Sequence, residues 1–308
     1  VKELPIIDIT DLRRGDAAAR ARVAGALRTS CLDNGFFYIS GHGIDPALQS
    51  RVFEQAAAFF ALPLDVKQAL DKARSPARRG YDPMGGQALQ AGMPPDLKEG
   101  FFLGLEGPAN GQFGQGPNQW PADLSGFRAV MEAYIAAALE LSRALYRGLA
   151  LSLNLPETWF DACMEHPMPV LRLLHYPPQA PRNPGDALGC GEHTDFGGLT
   201  LLLQDPSGGL QVRDPDGWID APPIEGTYVV NLGDMIARWS NNRYRSTMHR
   251  VVNLSGRDRY SVPFFSNPDP TALITCLPTC LDGDAAPAWP PITVAEHFKE
   301  RYRSTMVA

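Results

Sequence analysis

The stretch GCGEHTDFGGLTLLL, residues 189–203, places a polar His193-Thr194-Asp195 triplet just ahead of a glycine pair and a run of leucines. Side chains alternate along a strand, so an extended backbone here sends His193 and Asp195 to one face and Thr194 to the other. Two potential metal ligands then project together from one backbone. A polar loop leading into a buried strand reads equally well from these letters alone, because a motif of this length often matches by chance. The glycines Gly197 and Gly198 are expected to let the chain turn tightly before the apolar strand.

Around the triplet the chain is a series of short β-type runs separated by Pro, Gly, Asn and Asp: VLRLLHY, LTLLLQD, GLQVRD, GWIDAP, TYVVNLGD, YRSTMHRVVN, RYSVPFF and TALITCL. Closely spaced short strands with turn chemistry predict a sandwich or barrel in preference to βαβ units. The N-terminal half reads differently. LPIIDIT and GFFYISGHGI are strand-like, Asp16 to Asn34 has Ala-rich helical spacing, and Asp45-Pro46 is an N-cap followed by proline, opening a helix to about Ala61. Further helices are expected after Pro63, from Ser125 to Leu153, near Glu157 to Glu165 and from Thr293. A strand at Glu99 to Leu103 interrupts the Gly/Pro-rich region Ser75 to Pro121, where specificity loops tend to lie. The fold class is therefore mainly β with flanking helices (α+β). An N-terminal helical and β region, 1–120, is expected to pack as one unit with a support helix and β core, 121–308.

Composition narrows the function. The 308 residues are 44% hydrophobic and 20% charged, as in a folded soluble chain. A net charge of -6 and a pI near 5.5 argue against nucleic acid, and the densest basic stretch, Arg74 to Arg79, reads as a solvated loop. No apolar run reaches the length of a membrane span, and the first residues turn charged too soon for a signal peptide. Five scattered cysteines without metal-type spacing suggest reduced thiols and a cytoplasmic address. No protein partner is implied.

There are six histidines, and His249 lies in the β-type run TMHRVVN, ten residues before Arg259-Tyr260-Ser261. The turn-rich residues between them predict an antiparallel hairpin with its tip near Leu254, which would set position 259 opposite 249 with Cβ atoms roughly 5 Å apart. If the strand bearing His193 and Asp195 faces His249, two imidazoles and one carboxylate form the facial triad of non-haem Fe(II) oxygenases. Three coordination positions stay open for an α-keto acid and dioxygen. Arg259 with Ser261 would then supply charge-assisted hydrogen bonds to the far carboxylate of that acid.

With these motifs in order, the sequence resembles the iron- and 2-oxoglutarate-dependent dioxygenases of the family that includes isopenicillin N synthase and the plant flavonoid and gibberellin oxygenases. The resemblance runs through LPIIDIT, GFFYISGHGI, LRLLHYPP at 171–178, His193-Thr194-Asp195, YVVNLGD, WSNNRYRSTMHRV and RYSVPFF. It implies Fe(II) held by His193, Asp195 and His249, the 2-oxoglutarate C5 carboxylate held by Arg259 and Ser261 with support from Tyr176, and ascorbate as a reductant. The implied fold is a distorted double-stranded β-helix, or jelly roll. The implied reaction is oxidation of a small organic molecule by dioxygen, hydroxylation by default, with release of succinate and CO2. One departure is Leu174, where many plant relatives carry an asparagine near the cosubstrate.

Family positions bordering the substrate correspond to Arg172, Phe265 and Asn267, with Tyr81 and the Phe101-Phe102 strand expected to wall the same cavity. Such a wall suits a partly apolar, anionic or ring-containing molecule. His42 and His175 read as structural polar contacts, and Asp234 as a turn aspartate. Three other readings compete: an Fe(II) oxidase of the isopenicillin N synthase kind that uses no 2-oxoglutarate, a non-catalytic small-molecule-binding scaffold, and a zinc hydrolase. The last lacks a glutamate at general-base spacing from the histidines.

Overall fold

The computed structural model describes residues 3–86, 94–179, 188–253, 255–281, 283 and 286–305. Two facing sheets form the core. The major sheet has eight strands in the order Ile6–Asp8, Phe36–Ser40, Tyr228–Leu232, Leu199–Gln204, Arg259–Ser266, Val170–Tyr176, Glu99–Gly104 and Gly80–Asp82. The minor sheet runs Cys190–His193, His249–Val251, Leu210–Asp214 and Gly217–Asp220. All pairings in these sheets are antiparallel except the first, Ile6–Asp8 on Phe36–Ser40. This is the jelly roll expected, and strands from both halves of the chain share its major sheet.

Period-two alternation sorts the side chains of the major sheet. Leu171, Leu173, Val262 and Phe264 go to a helix-side core, whereas Leu174 and Tyr176 enter a second cluster with Val212, Val229 and Val251 between the sheets. The helix side is closed by Phe127–Ser152, whose Phe127, Met131, Tyr134, Ala138, Leu141, Leu145 and Leu149 recur at helical spacing and are buried. Ala17–Asp33 and Pro46–Phe60 pack on it. Their starts follow the predicted caps: Asp16 accepts from Ala19 N, and Asp45 accepts from Ala47 N ahead of Pro46. Each such cap contributes about 1 kcal/mol.

Three expectations fail. His249–Val251 and Arg259–Ser266 do not pair with each other: they belong to different sheets, and the connection between them crosses the roll. Asn253 holds that crossing, its Nδ2 donating to the carbonyls of Tyr176, Pro177 and Arg257. The predicted hairpin tip, Leu254, lies outside the described residues. Glu157 to Glu165 forms turns and a single 3-10 turn, Ala162–Met164, in place of a helix. Arg79 is buried and donates to the Leu103 and Gly114 carbonyls, so the basic loop is solvated only in part. Gly197 and Gly198 do lie in the expected bend ahead of Leu199, though with no positive φ. They are needed because a Cβ would stand 1.9 Å from Asn267 Oδ1 and 2.0 Å from Tyr146 Oη.

Candidate metal centre and anion pocket

His193 ends the first minor-sheet strand and His249 opens the second, where the two are direct cross-strand partners. Their ring centroids are 4.2 Å apart. Asp195 lies beyond the strand end, where the chain leaves the minor sheet for Leu199 of the major one, so the HxD spacing works through a turn and not through strand alternation. Asp195 Oδ1 is 3.8 Å from the Nε2 atom of each histidine. One ligand atom from each residue falls within 4.8 Å of the others, the only such group found among the described residues.

The surroundings leave one donor free on each side chain. His193 Nδ1 bonds to the Gly191 carbonyl at 2.8 Å and His249 Nδ1 to the Thr247 carbonyl at 3.2 Å. A carbonyl only accepts, so each Nδ1 carries the hydrogen and each Nε2 turns a lone pair to the centre. Asp195 Oδ2 accepts from Thr200 Oγ1 at 2.5 Å and Asn231 Nδ2 at 2.7 Å, which reserves Oδ1. Burial lowers the pKa of both histidines and keeps them neutral. Burial would raise that of Asp195, but the two histidines and the bonds from Asn231 and Thr200 outweigh it and hold the carboxyl below its usual range. Neutral imidazoles and an ionised carboxylate are the forms that ligate a divalent ion. Thr200 and Asn231 were missed in the sequence, where the signal is a lone polar residue within each of two apolar runs, LTLLL and VVNL.

Arg259, Ser261 and Phe265 share the face of their strand opposite Val262 and Phe264, and so point between the sheets. Arg259 is 0% exposed, with its guanidinium 4.7 Å from the centroid of the Tyr176 ring. Its Nε donates to the Gly208 carbonyl and its Nη2 to Gln204 Oε1, but Nη1 is buried without a hydrogen-bond partner among the described residues. A charged donor left unpaired in a dry interior is costly, so the pocket is built to receive an acceptor. Ser261 hydrogen-bonds the Tyr176 hydroxyl, whose pKa burial pushes up. Leu174 lies opposite Ser261 in register. Nearby, and also unforeseen, buried Lys98 pairs with Asp96 and reaches Cys190 Sγ at 3.1 Å.

Arg172 also faces inward, its guanidinium 4.3 Å over the Phe102 ring. The remaining substrate candidates are corrected. Tyr81 and Phe101 project to the opposite face of the sheet, where both rings pack on Phe59 in the helix-side core. Alternation gives the inward position to Phe102. Asn267 is committed to backbone: Oδ1 accepts from Gly198 N and Nδ2 donates to the Met168 carbonyl. His42 accepts from Ile44 N, and His175 bridges Glu99 and Asp258, both as structural contacts. Asp234 is no ligand; it accepts from Thr194, Ser246 and Arg301.

Two sequence profiles match in succession. That of the non-haem dioxygenase in morphine synthesis N-terminal region covers residues 4–123, and that of the 2OG-Fe(II) oxygenase superfamily covers residues 167–268. A 2-oxoglutarate-Fe(II) type oxidoreductase, hxnY of Emericella nidulans, is 45% identical over 98% of this chain and 90% of its own length. The 2-oxoglutarate-dependent dioxygenase citB of Monascus ruber is 42% identical over 98% of this chain and 95% of its own. Among solved structures, a full-length Neurospora crassa protein in complex with alpha-KG and thymine superposes with a TM-score of 0.89 at 33% identity, covering 99% of both chains. The chain belongs to the iron- and 2-oxoglutarate-dependent dioxygenases. It is a non-haem oxidoreductase that uses Fe(II) and 2-oxoglutarate and acts on a small molecule. No helix among the described residues is long and apolar enough to cross a membrane.

Proposed function

We propose that His193, Asp195 and His249 hold the Fe(II), that Arg259, Ser261 and Tyr176 hold the C5 carboxylate of 2-oxoglutarate, and that the enzyme hydroxylates a small anionic ring compound. The observation that carries this reading is the conjunction of three converging donors with the orphaned Arg259 Nη1 in one inter-sheet space. Bound Fe(II) supplies dioxygen activation, coupled to decarboxylation of 2-oxoglutarate to succinate and CO2. The chain's own residues do the rest. Arg259 offers a fixed, permanently charged donor to a carboxylate, and the surrounding Tyr176, Val212, Val229 and Val251 exclude water. Arg172 over Phe102, with Phe265 on the same inner face, offers a cation and aromatic surfaces to a planar substrate. The Neurospora crassa relative, crystallised with thymine and with 5-formyluracil, takes such a ring.

Ascorbate is the fitting reductant for keeping the iron ferrous, and the free cysteines suit a reducing, cytoplasmic compartment. The regions 1–120 and 121–308 act as one unit, because Phe36–Ser40 and Glu99–Gly104 are internal strands of the major sheet. Anaerobic Fe(II) plus 2-oxoglutarate is expected to give a weak visible charge-transfer band. Arg259→Met should raise the 2-oxoglutarate concentration needed for that band by about 100-fold, since a buried charge-assisted pair is worth on the order of 3 kcal/mol. Unchanged 2-oxoglutarate affinity in that variant would remove the anion assignment. A wild type that binds iron and consumes oxygen without forming succinate would instead be a 2-oxoglutarate-independent oxidase.

A further inference from the structure

The C-terminal helix, Val294–Thr305, is fastened to the residues on either side of Asp195. His297 Nε2 bonds to the Phe196 carbonyl at 2.7 Å, and Arg301 Nη2 reaches Thr194 Oγ1 at 3.4 Å. The Arg301 guanidinium lies 4.9 Å from the centroid of the Phe196 ring, against which Tyr302 packs edge-on at 5.9 Å. The anchor for these contacts is Asp234, the first residue of the short helix Asp234–Trp239. Its Oδ2 takes Arg301 Nη2 at 2.8 Å and the Thr194 hydroxyl at 3.2 Å, its Oδ1 takes the Ser246 hydroxyl at 2.7 Å, and its backbone N–H donates to the Asp195 carbonyl at 2.8 Å.

Thr194 stands between two of the three converging donors, and Ser246 is three residues before the third. One carboxylate therefore ties both donor-bearing segments to the last helix of the chain, while neither Asp234 nor Arg301 offers an atom to the centre. We propose that Asp234 and Arg301 are a positioning pair through which docking of the C-terminal helix sets the spacing of His193 and Asp195 against His249, and so how tightly the metal is held. The inference rests on the assignment of those three residues as the metal site.

The pair lines an open cleft of about 1290 Å3, so water and salt reach it. That exposure makes the direct Coulomb effect of Arg301 on the centre small, and opposite in sign to the positioning effect. Removing a nearby cation would by itself tighten binding of a divalent ion, whereas loss of positioning loosens it. Outer-shell partners of metal ligands are typically worth 10–100-fold in affinity.

The full chain carrying Arg301→Met is therefore expected to bind Mn(II), a redox-inert probe, about tenfold more weakly than the parent by calorimetric titration. Arg301→Lys should recover part of the loss, and Asp234→Asn combined with Arg301→Met should cost less than the sum of the single changes. Equal or tighter Mn(II) binding in Arg301→Met, or strict additivity with Asp234→Asn, would overturn the proposal. Should Arg301→Met fail to fold, Ser246→Ala removes the other arm of Asp234, with the same direction expected and the same result refuting it. His249→Ala separates the two readings: if that variant binds Mn(II) as tightly as the parent, the site assignment itself has failed.

Discussion

Asp195 illustrates how much of this site is decided one atom at a time. A buried carboxylate has room for several partners, and a metal needs one oxygen kept clear of them. Thr200 and Asn231 both bond to Oδ2, so the carboxyl plane is fixed with Oδ1 toward the imidazoles. Asn231→Ala is expected to weaken Fe(II) binding by about tenfold, in line with outer-shell effects at other metal sites, with little change in the KM for 2-oxoglutarate. Anaerobic Fe(II) titration measures this, and unchanged iron affinity would show that the carboxylate needs no such orientation. Thr200 was readable as an odd polar residue in an apolar run. What it bonds to was not, because its partner enters from a separate turn.

At the scale of elements, the Glu99–Gly104 and Val170–Tyr176 strands are joined on their helix-side face by a buried polar network. Glu99 accepts from Lys67 Nζ at 2.9 Å and Tyr81 Oη at 2.7 Å, and bonds to His175 Nδ1 at 2.8 Å. His175 Nε2 meets Asp258, the residue before Arg259, at 2.8 Å, with Tyr260 stacked on the imidazole and Phe60 tilted against it. Burial would lower the pKa of His175, but Glu99 and Asp258 outweigh it and the net shift is upward. Burial likewise would raise that of Glu99, and the bonds from His175, Lys67 and Tyr81 bring it down to about 2. The signs then fix the pH window. The raised histidine contributes stability fully below its unfolded pKa of about 6.5 and loses it as pH rises through the folded value. The lowered glutamate contributes above its ordinary value of 4.5 and loses it as pH falls toward 2. The stability advantage of wild type over His175→Gln should therefore be largest between about pH 4.5 and 6.5 and shrink above it. Denaturant midpoints across that range measure it, and an advantage that grows with pH would contradict the network.

For the whole molecule, the decisive feature is the crossing from His249–Val251 in the minor sheet to Arg259–Ser266 in the major one. It separates His249 and Arg259 onto different sheets, and Asn253 staples it through three carbonyls at 3.2, 3.0 and 3.1 Å. Asn253→Ala strands those acceptors at a cost of roughly 1–3 kcal/mol, and should raise the 2-oxoglutarate KM together with the loss of stability. Chemical denaturation and a 2-oxoglutarate titration test this, and a stable variant with an unchanged KM would show that the crossing does not govern the pocket. Much of the architecture was legible beforehand, because caps such as Asp16 and Asp45, the helical spacing from Phe127 to Leu149, and short alternating strands are local signals. The donor types were legible too: His193, Asp195, His249 and Arg259 are chemically unusual for their settings. Strand partners were not legible, since a hairpin and a crossing between sheets use the same turn-rich letters between residues 252 and 258. Nor could the facing of Tyr81, Phe101 and Phe102 be read, because a run that is apolar on both sides has no alternation to mark its inner face. The sequence by itself determined which chemistry the chain carries and which elements hold it; the tertiary structure alone decided which residues meet, because contacts between sheets depend on how distant strands close around a shared core.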